Sequence, residues 1–248
     1  MAGVKPGPST VAGLKWLARV GPTPLGAWGI AMGWGQAAVY SHARRLRAER
    51  YLGMCSRTRG EGSLVYASRM GVRDAGVEAA AVDRRPAPVT WPHCEACAWT
   101  ATWLTARGRG LVGPRELLVR TDWRAELRFR ERGELRRRGH RPDLVGRLPD
   151  GQLLPIEVEL SEKSSARLKA VLELHAEWIS AGKSAAVIYV CGDEEIAERV
   201  LADGAQAGLS VERGTMRIEL VSTIQREAAE ARSTLASTDW HRTGRTAA

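Results

Sequence analysis

The stretch RPDLVGRLPDGQLLPIEVELSEKS, residues 141–164, sets three carboxylates, Asp143, Glu157 and Glu159, in a segment that otherwise alternates like two buried strands. The turn between them, LPDGQ, decides which face the acids share. A two-residue Asp-Gly loop would set Pro149 across from Gln152 and Asp143 across from Val158, on the side of the core residues, where an unpaired carboxylate is costly. A three-residue loop of Pro149, Asp150 and Gly151 suits the residue types better, with proline at the second turn position, aspartate next, and glycine where a left-handed bulge is required. Asp143 then lies opposite Glu157, while Leu144, Leu148, Leu154, Ile156, Val158 and Leu160 share the other face. One face is predicted to be core, and the other gathers the three acids.

Clustered carboxylates repel one another, so their stable partners are a divalent cation or nearby basic side chains. Oxygen-rich clusters suit magnesium or manganese, which can orient a water and offset charge in phosphodiester cleavage. The alternative is a solvent-facing sheet whose acids pair with arginines. The run RFRERGELRRRGHR, residues 128–141, carries seven, which could neutralise the acids or hold DNA phosphates.

Beyond Glu159, the spacing predicts a helix with Leu168, Val171, Leu172, His175, Trp178 and Ile179 inward, then a buried strand over 185–190, a helix over about 194–205 and a strand over 216–221. His175 falls on the apolar face and reads as a packed core histidine rather than a catalytic base. Helix, three strands with acids on the second and third, helix, strand: this order resembles the core of the PD-(D/E)xK nuclease superfamily, whose fold is restriction-endonuclease-like. Pro142-Asp143 matches the PD of that pattern, and Glu157-Val158-Glu159 stands where its (D/E)-x-K belongs. Glu159 occupies the lysine position, a departure from the pattern, and Lys163 or Lys169 would supply an amine from a shifted one. The resemblance implies Asp143 and Glu157 as magnesium or manganese ligands, Glu159 as a support for the metal or water, and Lys163 as the amine of an endonuclease.

Upstream, net charge is unevenly spread. The chain carries +9 overall, and residues 1–77 hold eleven Lys/Arg against three acids, whereas the rest holds 26 against 25. A positive field confined to one end suits a polyanion partner. Residues 9–20 read as a helix opened by Ser9 and Thr10; a short helix over about 25–32 and a longer one from Gln36 to about Arg50 follow, the last with Val39, Ala43 and Leu46 at helical spacing. In residues 51–69 two short extended runs flank RTRGEG, a hairpin signature. This order resembles a winged helix-turn-helix domain over residues 9–77. The resemblance implies a helix in the major groove of double-stranded DNA, with Gln36, Tyr40, Ser41, Arg44, Arg45 and Arg47 facing it and Arg57 and Arg59 on the wing. A protein-binding or homodimer-forming use of the same helix is the alternative.

Residues 78–90, with two prolines and no sustained period, read as a linker, residues 91–222 as the nuclease-like domain, and 223–248 as a helical segment running into a disordered polar tail. His93-Cys94-x-x-Cys97 in WPHCEAC invites a zinc reading, but no second paired half follows, and two cysteines three apart share one helix face as small apolar residues. Zinc is therefore not expected. Four scattered cysteines argue against a disulfide framework; with no run of 18 apolar residues and no secretory layout at MAGVKPGPST, the expectation is a cytoplasmic protein without a membrane partner. The fold class is α/β, α+β overall: a winged helix-turn-helix followed by an αβββαβ domain. The pairing of HRPDL and IEVELSEKS with that N-terminal unit resembles the replication-relaxation family of actinobacterial plasmid and phage proteins over residues 9–222, which implies a role in replication or maintenance of a mobile element.

Overall fold

The computed structural model describes residues 7–55, 62–77 and 86–231. Its first part opens with α1 (Pro8–Val20), whose N-terminal proline sacrifices no helical hydrogen bond. There follow β1 (Thr23–Pro24), α2 (Leu25–Ala31), α3 (Gln36–Ala48), β2 (Leu52–Cys55), β3 (Leu64–Ala67) and α4 (Arg69–Asp74). The strands form an antiparallel sheet in the order β1-β3-β2. Val39, Ala43 and Leu46 turn α3 inward, and β2 and β3 are the two extended runs predicted from the sequence. The tip between them, with Arg57 and Arg59, lies outside the described residues, as do 78–85 of the predicted linker.

A short 3-10 turn leads into α5 (Trp91–Ala106), followed by β4 (Gly110–Val112), α6 (Pro114–Leu117), β5 (Ala125–Glu131), β6 (Glu134–His140), β7 (Leu144–Arg147), β8 (Leu153–Glu159), α7 (Ser165–Ser180), β9 (Val187–Cys191), α8 (Glu194–Gln206) and β10 (Met216–Leu220). A last helix, α9, spans 221–231, and the rest of the predicted tail lies outside the described residues. The main sheet runs β10-β9-β8-β7-β4, with β8, β9 and β10 parallel and β7 and β4 antiparallel to their neighbours. α8 is capped by Asp193, whose carboxylate accepts the Ile196 amide at 2.9 Å.

The turn joining β7 and β8 is the three-residue one. Gly151 has φ +88°, the Leu148 amide donates to the Gln152 carbonyl at 2.8 Å, and the Gln152 amide donates to Asp150 Oδ1 at 3.0 Å. Leu144 consequently pairs with Ile156, and the Asp143 amide donates to the Ile156 carbonyl at 3.0 Å. The acids share a face, as the turn chemistry requires.

That face is not open. α7 covers it, so Glu157 and Glu159 are 2% and 5% exposed. Leu168 and Leu172 of α7 pack on Val187, Tyr189 and Cys191 beneath it. The opposite face, Leu144, Ile156, Val158, Ile188 and Val190, packs on Ala101, Trp103 and Leu104 of α5 and on Ile224 of α9. A solvent-facing acid sheet is thereby replaced by a sheet buried on both sides, which is why β8 and β9 are almost uniformly buried.

α5 is apolar nearly all round because it lies between two layers. Thr102 Oγ1 donates to the Ala27 carbonyl of α2 at 3.2 Å, and one continuous core joins Leu14, Leu17 and Trp28 to Ala98, Leu104 and the main sheet. The first and second parts thus share their packing.

Apart from Arg141, which lines a cleft with Asp143, Glu157 and Glu159, and Arg138, which lines one with Glu159, the arginine run does not line up beside the acids. It forms a separate two-stranded ribbon, β5 and β6, added to the predicted αβββαβ order. Arg132 at φ +51° and Gly133 at φ +84° close it in a two-residue turn with both φ values positive. Leu127 and Phe129 anchor β5 on Ala170 and Val171 of α7, while β6 is exposed until its last residue, His140, which is buried.

Candidate functional site

Where β6, β7, β8, α5 and the start of α7 meet, a cleft of about 440 Å³ is lined by His93, His140, Asp143, Glu157, Glu159, Lys163 and Arg167, among others. Asp143, Glu157, Glu159 and Lys163, the four residues expected to act together, are all in it. Lys169 is not among its lining residues.

Glu157 sits deepest. Its Oε1 receives His140 Nε2 and His175 Nε2, each at 3.0 Å. A carboxylate only accepts, so each imidazole carries its hydrogen on Nε2. Burial alone would raise the Glu157 carboxyl, but the two histidines overcome it and hold the group well below the usual carboxylate range. Burial pushes His175 below the ordinary histidine range, against the pull of Glu157. Its Nδ1 is buried without a hydrogen-bond partner among the described residues, which suits a bare ring nitrogen and would be costly for an N–H.

His175 is buried, as expected of a packed core histidine, and its Nε2 in addition contacts the central acid, Glu157.

Asp143 is held at both oxygens. His93 Nε2 lies 3.0 Å from Oδ1, and the Val158 amide donates to Oδ2 at 2.8 Å. The hydrogen bond to Asp143 raises His93, against the effect of burial. Glu159, at the end of β8, forms an ion pair with Lys163, four residues on in the loop before α7. Burial, aided by Glu157 and Asp143, raises the Glu159 carboxyl, and Lys163 opposes the rise. The partners of the acids are therefore histidines, a lysine and a backbone amide. Several arginines of the run have other partners: Arg128 pairs with Glu126, Arg136 with Glu134, and Arg141, which also lines the cleft, donates to the Leu117 and Leu118 carbonyls.

For a cation, the cleft offers carboxylate oxygens from Asp143, Glu157 and Glu159 in company with ring nitrogens. Among the described residues, two groups have ligand atoms within 4.8 Å of one another: His93, Cys97 and Asp143; and His140, Glu157 and His175. This mixed donor set fits manganese better than magnesium, which favours oxygen and keeps several waters.

Sequence reasoning missed His140, read His175 as core and set His93 and Cys97 aside for want of further ligands, for identifiable reasons. His175 follows the apolar spacing of α7, and His140 closes an arginine-rich strand. His93 and Cys97 are one turn apart on α5 and gain their third neighbour only when β7 is laid beside them.

On α3, the residues expected to face DNA, Gln36, Tyr40, Ser41, Arg44, Arg45 and Arg47, are all exposed, with Ser41, Arg44 and Arg45 on the side opposite Val39, Ala43 and Leu46 and Gln36 and Arg47 at the border of that buried stripe. Tyr40 is 56% exposed. Arg45 is partly tied back, its Nη2 donating to Thr10 Oγ1 at 2.9 Å, and Arg47 Nη1 reaches Met54 Sδ at 3.7 Å. Among the described residues no helix is long and apolar enough to cross a membrane. No family model matches the chain, and no curated protein or solved structure gives a significant match.

Proposed function

We propose that this chain is a double-stranded-DNA-binding protein that joins a winged helix-turn-helix to a restriction-endonuclease-like domain with a metal-dependent phosphodiester-cleaving site. The observation that carries the reading is the convergence of Asp143, Glu157, Glu159 and Lys163 on one cleft, formed where a three-stranded antiparallel-then-parallel run meets α7. The order α1, β1, α2, α3, β2, β3 and the exposed cationic side of α3 support the DNA-binding half. Arg141 and Arg167 beside the acids add the positive charge a phosphodiester needs there. The motifs HRPDL and IEVELSEKS support a role in replication or maintenance of a plasmid or phage.

In this reading Asp143 and Glu157 hold manganese or magnesium, which supplies Lewis-acid stabilisation when bound. Val158 fixes the orientation of Asp143 through its amide, and His140 and His175 keep Glu157 ionised. Lys163 brings an ammonium to the acid side of the cleft, with Glu159 holding it there. Cytoplasmic location and a homodimer on DNA belong to the same proposal.

A second reading is favoured by one observation: every acid already has a partner within the protein. The cleft is then a structural ion-pair network, and the chain is a winged-helix transcriptional or replication regulator without chemistry. Titration of a labelled duplex by fluorescence anisotropy across a salt series tests the part common to both. Affinity falling steeply with salt supports DNA binding, and a salt-independent signal or none at all refutes it.

A further inference from the structure

His93 and Cys97 lie four residues apart on α5, so they project from one face of that helix one turn apart. Helical pairs at this spacing are a recurrent way to present two metal ligands. The sequence supplies no second cysteine pair, but the fold supplies Asp143, whose carboxylate lies within 4.8 Å of both ligand atoms.

We propose that His93, Cys97 and Asp143 form an open binding site for a borderline divalent cation, zinc first among them. Sulfur, nitrogen and oxygen in one set select zinc over magnesium, because thiolate is a soft ligand and magnesium a hard ion. Ligand atoms around a tetrahedral zinc stand about 3.3–3.6 Å apart, given bond lengths of about 2.0–2.3 Å, so from separations within 4.8 Å the three side chains need to close by about 1.5 Å at most. Asp143 is already oriented as a ligand, because the Val158 amide holds Oδ2 at 2.8 Å and leaves Oδ1 toward His93. An outer hydrogen bond of this kind fixes a ligand's direction in metal sites. His93 and Asp143 line the cleft, with side chains 45% and 24% exposed, while Cys97 is buried behind them, so the site is reached from the cleft on the side of the histidine and the aspartate. Three protein ligands with an open fourth position is the arrangement of zinc sites that bind a water or a substrate oxygen.

The neighbouring group of His140, Glu157 and His175 is a poorer site. All three are buried and already satisfy one another, and a metal on His175 Nε2 would move its hydrogen to Nδ1, which has no acceptor among the described residues.

The site shares Asp143 with the proposed cleavage centre but rests on ligand geometry and not on cleavage, so its test has a spectroscopic readout. The metal-free full chain is titrated with cobalt(II), which replaces zinc and reports thiolate ligation by a near-ultraviolet charge-transfer band. One cobalt should bind per chain with that band, and zinc should displace it. Cys97→Ser should abolish the band, and Cys94→Ser should retain it. His93→Gln, at a half-exposed position that does not disturb the core, should weaken binding by roughly 100-fold. Absence of the band in the natural chain, its survival in Cys97→Ser, or cobalt binding without thiolate ligation would each overturn the proposal.

Discussion

His175 Nε2 meets Glu157 Oε1 at 3.0 Å across the packing of α7 on β8, with both side chains buried. The contact holds an ionised acid inside the protein, and its loss leaves that charge with a single histidine. His175→Ala should destabilise the fold by about 3 kcal/mol, the scale for removing one partner of a buried pair. For a chain of this size that is a fall in Tm of roughly 9 °C, measurable by thermal or chemical denaturation.

Stability should also peak near pH 6.5. His93 is raised in the folded state, so its contribution is full below its ordinary value of 6.5 and is lost as pH climbs through the raised value. His175 is lowered, so its contribution is full above 6.5 and is lost as pH falls through the lowered value. The denaturation midpoint measured from pH 5 to 8 should lose its acid-side slope in His175→Gln and its alkaline-side slope in His93→Gln. Unchanged slopes in both variants would contradict the assigned ionisation states.

The three-residue turn makes a separate claim on stability. Gly151→Ala meets no neighbouring atom but forces φ +88° on an L-residue, which should cost about 1–2 kcal/mol. Gly146→Ala, in β7, meets Leu104, Leu154 and Ile156 at ordinary contact distances of 3.6–3.8 Å without positive φ, and should be neutral or slightly stabilising. Equal effects at the two sites would remove the turn as the determinant of register.

The register was legible from three residues, because Pro149, Asp150 and Gly151 each have a conformational preference that only one loop length satisfies together. Asp143 opposite Glu157 followed directly. The cover over the acids was not legible: that α7 lies on their face depends on a parallel crossover from β8 to β9, and period-2 alternation in β8 reads the same whether the polar face meets water or buried histidines. The β5–β6 ribbon was hidden for a related reason, since β6 presents exposed arginines on both sides and only Leu127 and Phe129 of β5 mark an anchored face. Histidine is the residue whose role least follows from its neighbours in sequence, because it is equally at home in a core and beside a carboxylate.

On α3, Arg44 is exposed and makes no side-chain hydrogen bond among the described residues, whereas Arg45 is tied to Thr10 and Arg47 to Met54. Arg44→Ala should weaken duplex binding by about fivefold and reduce the slope of log affinity against log salt by about 1, the signature of one lost phosphate contact. Anisotropy titrations at several salt concentrations read both quantities. Undiminished affinity would remove this side of α3 from the interface.

The central claim is that the cleft of Asp143, Glu157, Glu159 and Lys163 cleaves DNA with a metal. Supercoiled plasmid incubated with the purified chain in manganese, magnesium or EDTA tests it directly, beside an Asp143→Asn/Glu157→Gln variant. A cleaving site should give nicked or linear product in manganese, less in magnesium, and none in EDTA or with the variant. Plasmid that stays supercoiled in every metal while still shifting in a gel would contradict it, and would leave a DNA-binding protein whose buried acids serve the fold.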